Sequence, residues 1–166
     1  KAVFANSFAN YAEWEKFLGL KNMAYGAMGE NLCVDGLDES CVYVGDIHKV
    51  GSLVLQVSQP RKPCFKLSKR WGNENMATHI FETGLTGWYY RVLTPGSCKV
   101  GDVIEVIEND PVHMSILEIN RLFYAPSENL NLLEKFNALT TLTNGWHDDM
   151  KRRIEGIYST EFMRTL

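Results

Sequence analysis

The sequence predicts a mainly β fold with helices, a β-barrel or sandwich followed by a three-helix C-terminal subdomain, and three observations carry that prediction. Short runs of β-branched and aromatic residues recur at close spacing between residues 32 and 107, separated by turn-forming pairs. From Pro111 onward the alternation stops and a helical period replaces it. The chain has 166 residues, 45% hydrophobic and 22% charged, enough to build a core without disulfides or a structural metal. Residues 1–110 form the expected β portion and residues 111–166 the helical one.

The first expected element is a helix from Asn10. Asn10 can cap it while Glu13 reaches back, Tyr11, Trp14, Phe17 and Leu18 share one core-facing stripe, and Gly19 stands where a left-handed stop is wanted. A glycine-rich loop, Tyr25 to Asn31, follows. Strands are then expected at Leu32–Val34, Cys41–Val44, Ile47–Val50, Leu53–Ser58, Trp88–Leu93 and Val103–Ile107, punctuated by Asp35-Gly36, Gly45-Asp46, Pro95-Gly96 and Gly101-Asp102. The triplet Val-Gly-Asp at 44–46 and again at 100–102 leads into a strand each time, as at two similar corners of one barrel. Between the strands, Asn73–Thr83 reads as a helix burying Met76 and Ile80, and Gly84 and Gly87 predict a mobile exit loop.

In the C-terminal portion, Ser115 and Glu118 fit a capping box for a helix through about Tyr124, ended by Ala125-Pro126. Ser127 can cap a second helix with Leu130, Leu133 and Phe136 on one face. A third begins near Thr143, with Trp146, Met150, Ile154 and Ile157 in one stripe. Its acids Asp148 and Asp149 come early and its bases Lys151, Arg152 and Arg153 late, as the helix dipole favours. Leu122, Phe123 and Tyr124 predict an apolar patch through which two copies can meet as a homodimer.

Composition excludes several functions. A net charge of −3, from 17 basic and 20 acidic residues, argues against stable nucleic-acid binding. No apolar run approaches the ~20 residues of a membrane span, and the first residues lack a secretory leader, so a cytoplasmic chain with no membrane partner is expected. The chain starts at lysine rather than methionine, as a fragment would. Cys33, Cys41, Cys64 and Cys98, like the four histidines, lack metal-ligand spacing, and reduced thiols are expected.

The segment Gln56-Val57-Ser58-Gln59-Pro60-Arg61-Lys62-Pro63-Cys64-Phe65-Lys66-Leu67 carries the chemistry. Two prolines bracket two cations and deliver a cysteine straight after a strand, in a stiff connector rather than a sheet interior. Arg61, Lys62 and Lys66 lie close to Cys64, an environment that favours a reactive or ligating thiolate and an anionic ligand. Cys33 and Cys41 sit in apolar, strand-like company and Cys98 in a turn. On local physics alone, Cys64 reads equally well as a small buried residue. Gly26 to Asn31 forms a loop able to approach a ligand closely, ending in an acid and an amide. Thr83 to Arg91 sets two glycines before Trp88 and Arg91, a stacking surface and an anion clamp, or simply core aromatics.

Gly26-Ala27-Met28-Gly29-Glu30-Asn31-Leu32, Val44-Gly45-Asp46, Gln59-Pro60-Arg61-Lys62-Pro63-Cys64, Thr86-Gly87-Trp88-Tyr89-Tyr90-Arg91-Val92-Leu93 and Gly101-Asp102, in that order, resemble the MOSC domain. This is the molybdenum-cofactor sulfurase C-terminal domain, and the similarity is greatest to its stand-alone bacterial YiiM-like branch, which also ends in three helices. The resemblance implies a MOSC-type β-barrel. Members begin with several strands and a histidine-glycine-glycine loop ahead of the segment matching Lys1-Ala2-Val3, so it also implies a barrel lacking its N-terminal strands here. The matching positions would make Cys64 the catalytic residue and the ligand of molybdenum or its sulfur. Arg61 and Lys62 would be anion contacts, Gly29, Glu30 and Asn31 the pocket loop, and Trp88 and Arg91 the second motif around a molybdenum cofactor (molybdopterin). The implied activity is reduction of a small N-hydroxylated compound, such as an N-hydroxylated base, with electrons from a separate reductase, because no dinucleotide or iron–sulfur motif is present. A carrier of the cofactor or of sulfur through Cys64, and an interaction module without molybdenum, are the other classes the residues allow.

Overall fold

The computed structural model describes residues 2–163, and its framework is one open six-stranded sheet, a half-barrel, with helices packed against it. The elements are β1 (Val3–Ser7), α1 (Asn10–Leu18), β2 (Leu32–Val34), β3 (Ile47–Val50), β4 (Leu53–Pro60), α2 (Phe65–Trp71), α3 (Met76–Thr83), β5 (Trp88–Thr94), β6 (Ile104–Glu108), α4 (Ile116–Tyr124), α5 (Leu133–Asn137) and α6 (Asn144–Ile154). Short 3₁₀ turns occupy Pro126–Glu128, Leu130–Leu132 and Glu161–Met163. The strand order is β2-β1-β5-β4-β3-β6, and β1 with β2 is parallel while the other pairs are antiparallel.

Several expected elements stand as read. Gly19, at φ 67, ends α1, and α3 falls within the expected Asn73–Thr83 with Met76 and Ile80 buried. The capping box before α4 is complete: Glu118 N–H donates to Ser115 Oγ at 3.1 Å, and Ser115 N–H to Glu118 Oε2 at 2.7 Å. That satisfies two backbone donors which the first turn of a helix otherwise leaves open.

Other elements differ, each for a physical reason. β1 was not expected, since three of its five residues, Ala5, Asn6 and Ser7, are small or polar. It forms because Ala5 pairs with Leu32 on one side and Trp88 on the other, contacts distant in sequence. Asn10 does not cap α1. Its side chain is buried and donates to Asn6 Oδ1 and Glu39 Oε1. Cys41–Val44 is not a strand, and only Tyr43 bridges to Ser115. Cys41 is accordingly exposed, its sulfur bonded to Asp38, rather than set in apolar company. The second C-terminal helix is broken into two 3₁₀ turns and the short α5, with no side-chain cap from Ser127. Ile154 and Ile157 are exposed, so only Trp146 and Met150 of the α6 stripe are buried.

The exit after α3 is packed rather than loose. Gly87 lies at φ 67, where a Cβ would stand 2.5 Å from the Ala5 carbonyl oxygen and 2.8 Å from the Phe4 ring. The two Val-Gly-Asp corners share a positive glycine φ, yet Val44 and Asp46 are buried and Val100 is fully exposed.

Two hydrophobic clusters organise the interior. The larger joins sheet residues such as Val57, Trp88 and Tyr90 to Ile116, Ile119, Leu122, Phe123, Phe136, Trp146 and Met150 of the C-terminal segment. Leu122 and Phe123 are therefore core residues, and the expected apolar patch with Tyr124 does not exist. The smaller holds Tyr11, Trp14, Ala27, Met28, Leu67, Met76 and Ile80.

Candidate functional site

β4 delivers the proline-rich segment. Its last bonds on the β3 side are those of Val57 with Asp46 O and Gly45 N–H, and beyond them Gln59 and Pro60 pair with Tyr89 and Trp88 of β5. A strand end with one neighbour tolerates a residue lacking a backbone donor, so Pro60 is a strand residue here and not part of a connector. A register shift between Val57 and Gln59 leaves Ser58 unpaired, with its hydroxyl donating to Tyr89 O at 2.9 Å, and such bulges bend a strand away from its partner. Residues 61–64 then run without regular structure until Cys64, in extended backbone at φ −143, precedes α2. Cys64 is a free, half-buried thiol.

The two cations of the segment diverge. Arg61 turns toward the loop before β2, where its Nη1 donates to Met28 O at 2.6 Å and its guanidinium lies 4.7 Å above the Phe4 ring. Its backbone N–H donates to Gly87 O at 3.3 Å. Burial lowers the Arg61 pKa, while Tyr89, Cys64 and Glu30 act electrostatically in the opposite sense. Lys62 turns the other way, toward α6. Its ammonium bonds the Asp149 carboxylate and sits 4.4 Å from the Trp146 ring centroid, with Phe123 and Tyr158 at 5.4 and 5.8 Å. Cation–π contacts of this kind contribute about 0.5–2 kcal/mol each, depending on desolvation. Lys66 is exposed, while Arg61 lies close enough to Cys64 to interact with it electrostatically.

The loop residues are held by their own surroundings. Glu30 is buried, and its carboxylate accepts from the Tyr11 hydroxyl, from Gly26 N–H at 3.2 Å and from Met28 N–H at 3.0 Å. Burial, then Glu30, raises the pKa of Tyr11, and burial pushes the neighbouring Cys33 thiol up. Asn31 pins β1, accepting Phe4 N–H at 2.9 Å and donating its own N–H to Phe4 O at 2.7 Å. Gly29 takes φ 86 at the exposed turn of this loop. Glu30 and Asn31 thus shape the loop that faces Arg61.

The second motif is placed differently. Trp88 is fully buried in the larger cluster, against Tyr90, and presents no stacking surface to a ligand. Arg91 is tied to Gln56 Oε1 at 2.8 Å and to Thr141 O at 3.1 Å, apart from the Arg61 group. Neither joins the groups around Cys64.

Residues not singled out from the sequence complete the region. A recess of about 10 Å³, room for roughly one water, lies behind the segment, with Arg61, Lys62, Thr86 and Asn120 on its polar side and Phe81 and Trp146 on its apolar side. Asn120 of α4 donates to Gly84 O at 2.8 Å and to Thr86 Oγ1 at 2.9 Å. Glu39 is 1% exposed, accepts from Gly87 N–H at 2.7 Å and Asn10 Nδ2 at 2.9 Å, and burial raises its pKa. Neither residue belongs to a local pattern, and only their three-dimensional neighbours reveal them. A separate surface hollow of about 340 Å³, where Tyr43 stacks on His113, shares no lining residue with this recess.

Among the described residues, no three metal-ligating side chains converge, and no helix is long and apolar enough to cross a membrane. One thiol with one partly engaged guanidinium is a donor set suited to a metal whose remaining ligands come from its own organic cofactor. That composition fits the molybdenum cofactor implied by the sequence.

Comparison with known proteins identifies the family. The MOSC domain family matches residues 1–105. The chain is 34% identical over 161 residues to the uncharacterized protein YflK of Bacillus subtilis, covering 97% of this chain and 72% of that one. It is 36% identical to a reductase of Gibberella moniliformis over 81% of this chain and 24% of that one. To the protein YiiM of Escherichia coli it is 44% identical over 49% of this chain and 36% of that one, so it spans well under half of these two relatives. The crystal structure of YiiM from Geobacillus stearothermophilus superposes with a TM-score of 0.85 at 32% identity, over 93% of this chain and 78% of that one. That of YiiM from Escherichia coli superposes at 0.86 and 29% identity, over 99% and 83%. With the motifs, the sheet and the helices all in correspondence, the chain belongs to the MOSC domain family, in its YiiM-like branch.

Proposed function

We propose that this chain binds the molybdenum cofactor at Cys64 and contributes the cofactor-holding part of a reductase of N-hydroxylated compounds. The observation that carries the reading is Cys64 itself, a half-buried free thiol at the start of α2, beside Arg61, whose guanidinium bonds Met28 O of the Gly26–Asn31 loop. A soft thiolate suits molybdenum, and a guanidinium with donors left over suits a phosphate. Cys64 would hold the metal and Arg61 the cofactor's phosphate, with the loop around Gly29 giving close backbone approach. When bound, the cofactor supplies two electrons for cleavage of an N–O bond, and an external reductase restores them. The balance is R–NHOH plus two electrons and two protons giving R–NH₂ and water. The protein's part is to bind, orient and shield. The reductase name of the Gibberella relative supports this chemistry, as does family membership.

Elemental analysis of protein made in a cofactor-competent host tests the binding step. Molybdenum near one per chain, lost in Cys64→Ser with the fold retained, is expected; equal metal in both proteins refutes the role of Cys64. Turnover of an N-hydroxylated base by the loaded protein with an artificial electron donor then separates an enzyme from a carrier.

A further inference from the structure

We infer that α6 positions the Cys64 segment through Lys62, which makes Asp149 and Trp146 positioning residues of that site. The inference rests on the reading of Cys64 as the reactive residue. Residues 61–64 have no regular structure, with backbone bonds from Arg61 N–H to Gly87 O and from Leu67 N–H to Cys64 O. Side chains therefore decide where the segment lies. Arg61 is fastened on one side, to Met28 O and the Phe4 ring. Lys62 is fastened on the other, to the Asp149 carboxylate and over Trp146. Both members of the ion pair are only about a quarter exposed, at 23% and 27%, so water screens it incompletely.

The start of α6 adds a second hold on the same strand end, because Thr143 Oγ1 donates to Gln59 Oε1 at 2.9 Å. Gln59 and Lys62 bracket Pro60 and Arg61. The helix thus grips the segment on both sides of its proline, two residues short of Cys64. The sequence suggests that Lys62 contacts an anionic ligand. In the structure its ammonium is committed to α6, and its contribution to the site is to fix the backbone that presents Cys64.

Residue-resolved alkylation tests this on the folded full chain. Iodoacetamide is neutral, and the exposed Cys41, outside any regular element, serves as the internal reference. The ratio of Cys64 to Cys41 labelling, read by mass spectrometry, is expected to rise about threefold in Asp149→Asn and in Lys62→Met, with no further rise in the double variant. Lys62→Arg keeps the charge and the ring contact and is expected to restore the wild-type ratio. An unchanged ratio in both single variants, additive effects in the double, or failure of Lys62→Arg to restore it overturns the inference. If Asp149→Asn unfolds, the Lys62 pair alone decides. The readout does not depend on bound metal, so it fails separately from the proposal that Cys64 holds molybdenum.

Discussion

Acidification acts on a residue that no part of the site uses, His48 in β3. The residue is 1% exposed, and a hydrogen bond joins its Nδ1 to the hydroxyl of Tyr90, itself fully buried, at 2.8 Å. Burial holds its pKa down to about 4, from an ordinary 6.5. In the unfolded chain the imidazole takes a proton near its ordinary value. Between pH 6.5 and 4 the unfolded state therefore binds more protons than the native state, and stability falls as the pH falls through that window. The span from 6.5 to 4, at about 1.4 kcal/mol per pH unit, corresponds to about 3 kcal/mol. Burial raises the pKa of Glu39 and of Asp46, and raised carboxylates act in the opposite sense, losing stability as the pH rises. Comparison with His48→Gln cancels those groups, since both proteins carry them, and keeps a polar partner for Tyr90. Urea unfolding followed by tryptophan fluorescence from about pH 7.5 to about pH 4 is the assay. The stability of wild type relative to His48→Gln should drop by about 3 kcal/mol across the window. Parallel curves for the two proteins refute the argument.

Two further changes probe the packing behind the site. Gly87→Ala forces a Cβ against the Ala5 carbonyl at a positive φ, and a loss of about 2 kcal/mol or more in urea unfolding is expected, with the β1 and β5 amides losing protection from hydrogen exchange first. Ser115→Ala removes half of the capping box of α4 and should cost about 1 kcal/mol, measured the same way, while Ser115→Asp should recover most of it.

Local chemistry was legible in the sequence wherever neighbours along the chain decide the structure. The Ser115–Glu118 box, the Gly19 stop and the Met76–Ile80 helix face all depend on residues within a turn or two of each other. β1 was not legible, because Asn6 and Ser7 are polar yet buried, and the pairings that bury them come from residues 33–34 and a carboxylate network through Asn10 and Glu39. Cys41–Val44 carries apolar residues for the opposite reason. Val42 and Val44 face the core beside the start of α4 without joining a ladder, so a strand-like composition yields no strand. Within the site, the position of Cys64 after β4 followed from the prolines. The partner of Lys62 lies 87 residues away, and no local signal separates a lysine that meets a ligand from one that meets a helix. The same ambiguity affected Trp88, since an aromatic after a glycine looks alike whether it is core or stacking surface.

The boundary between the two hydrophobic clusters explains why a half-buried thiol can sit where Cys64 does. Leu67 of α2 belongs to the smaller cluster with Met28 and Met76, whereas Lys62 lies over Trp146 of the larger one. Residues 62–67 therefore cross from one cluster to the other. Within a closely packed interior a side chain of middling size is either enclosed or displaced, and a half-buried thiol beside a guanidinium needs a place where packing is interrupted. Such a seam provides it: Pro63 is buried, while Lys62, Cys64 and Phe65 around it stay half-buried. The seam also has a cost, since backbone there is held by few main-chain bonds and opens more readily than the strands beside it. The opposed anchoring of Arg61 and Lys62 offsets that cost, one on each cluster. The C-terminal helices, which share the larger cluster with the sheet, are by this argument a wall of the site rather than an appendage to it.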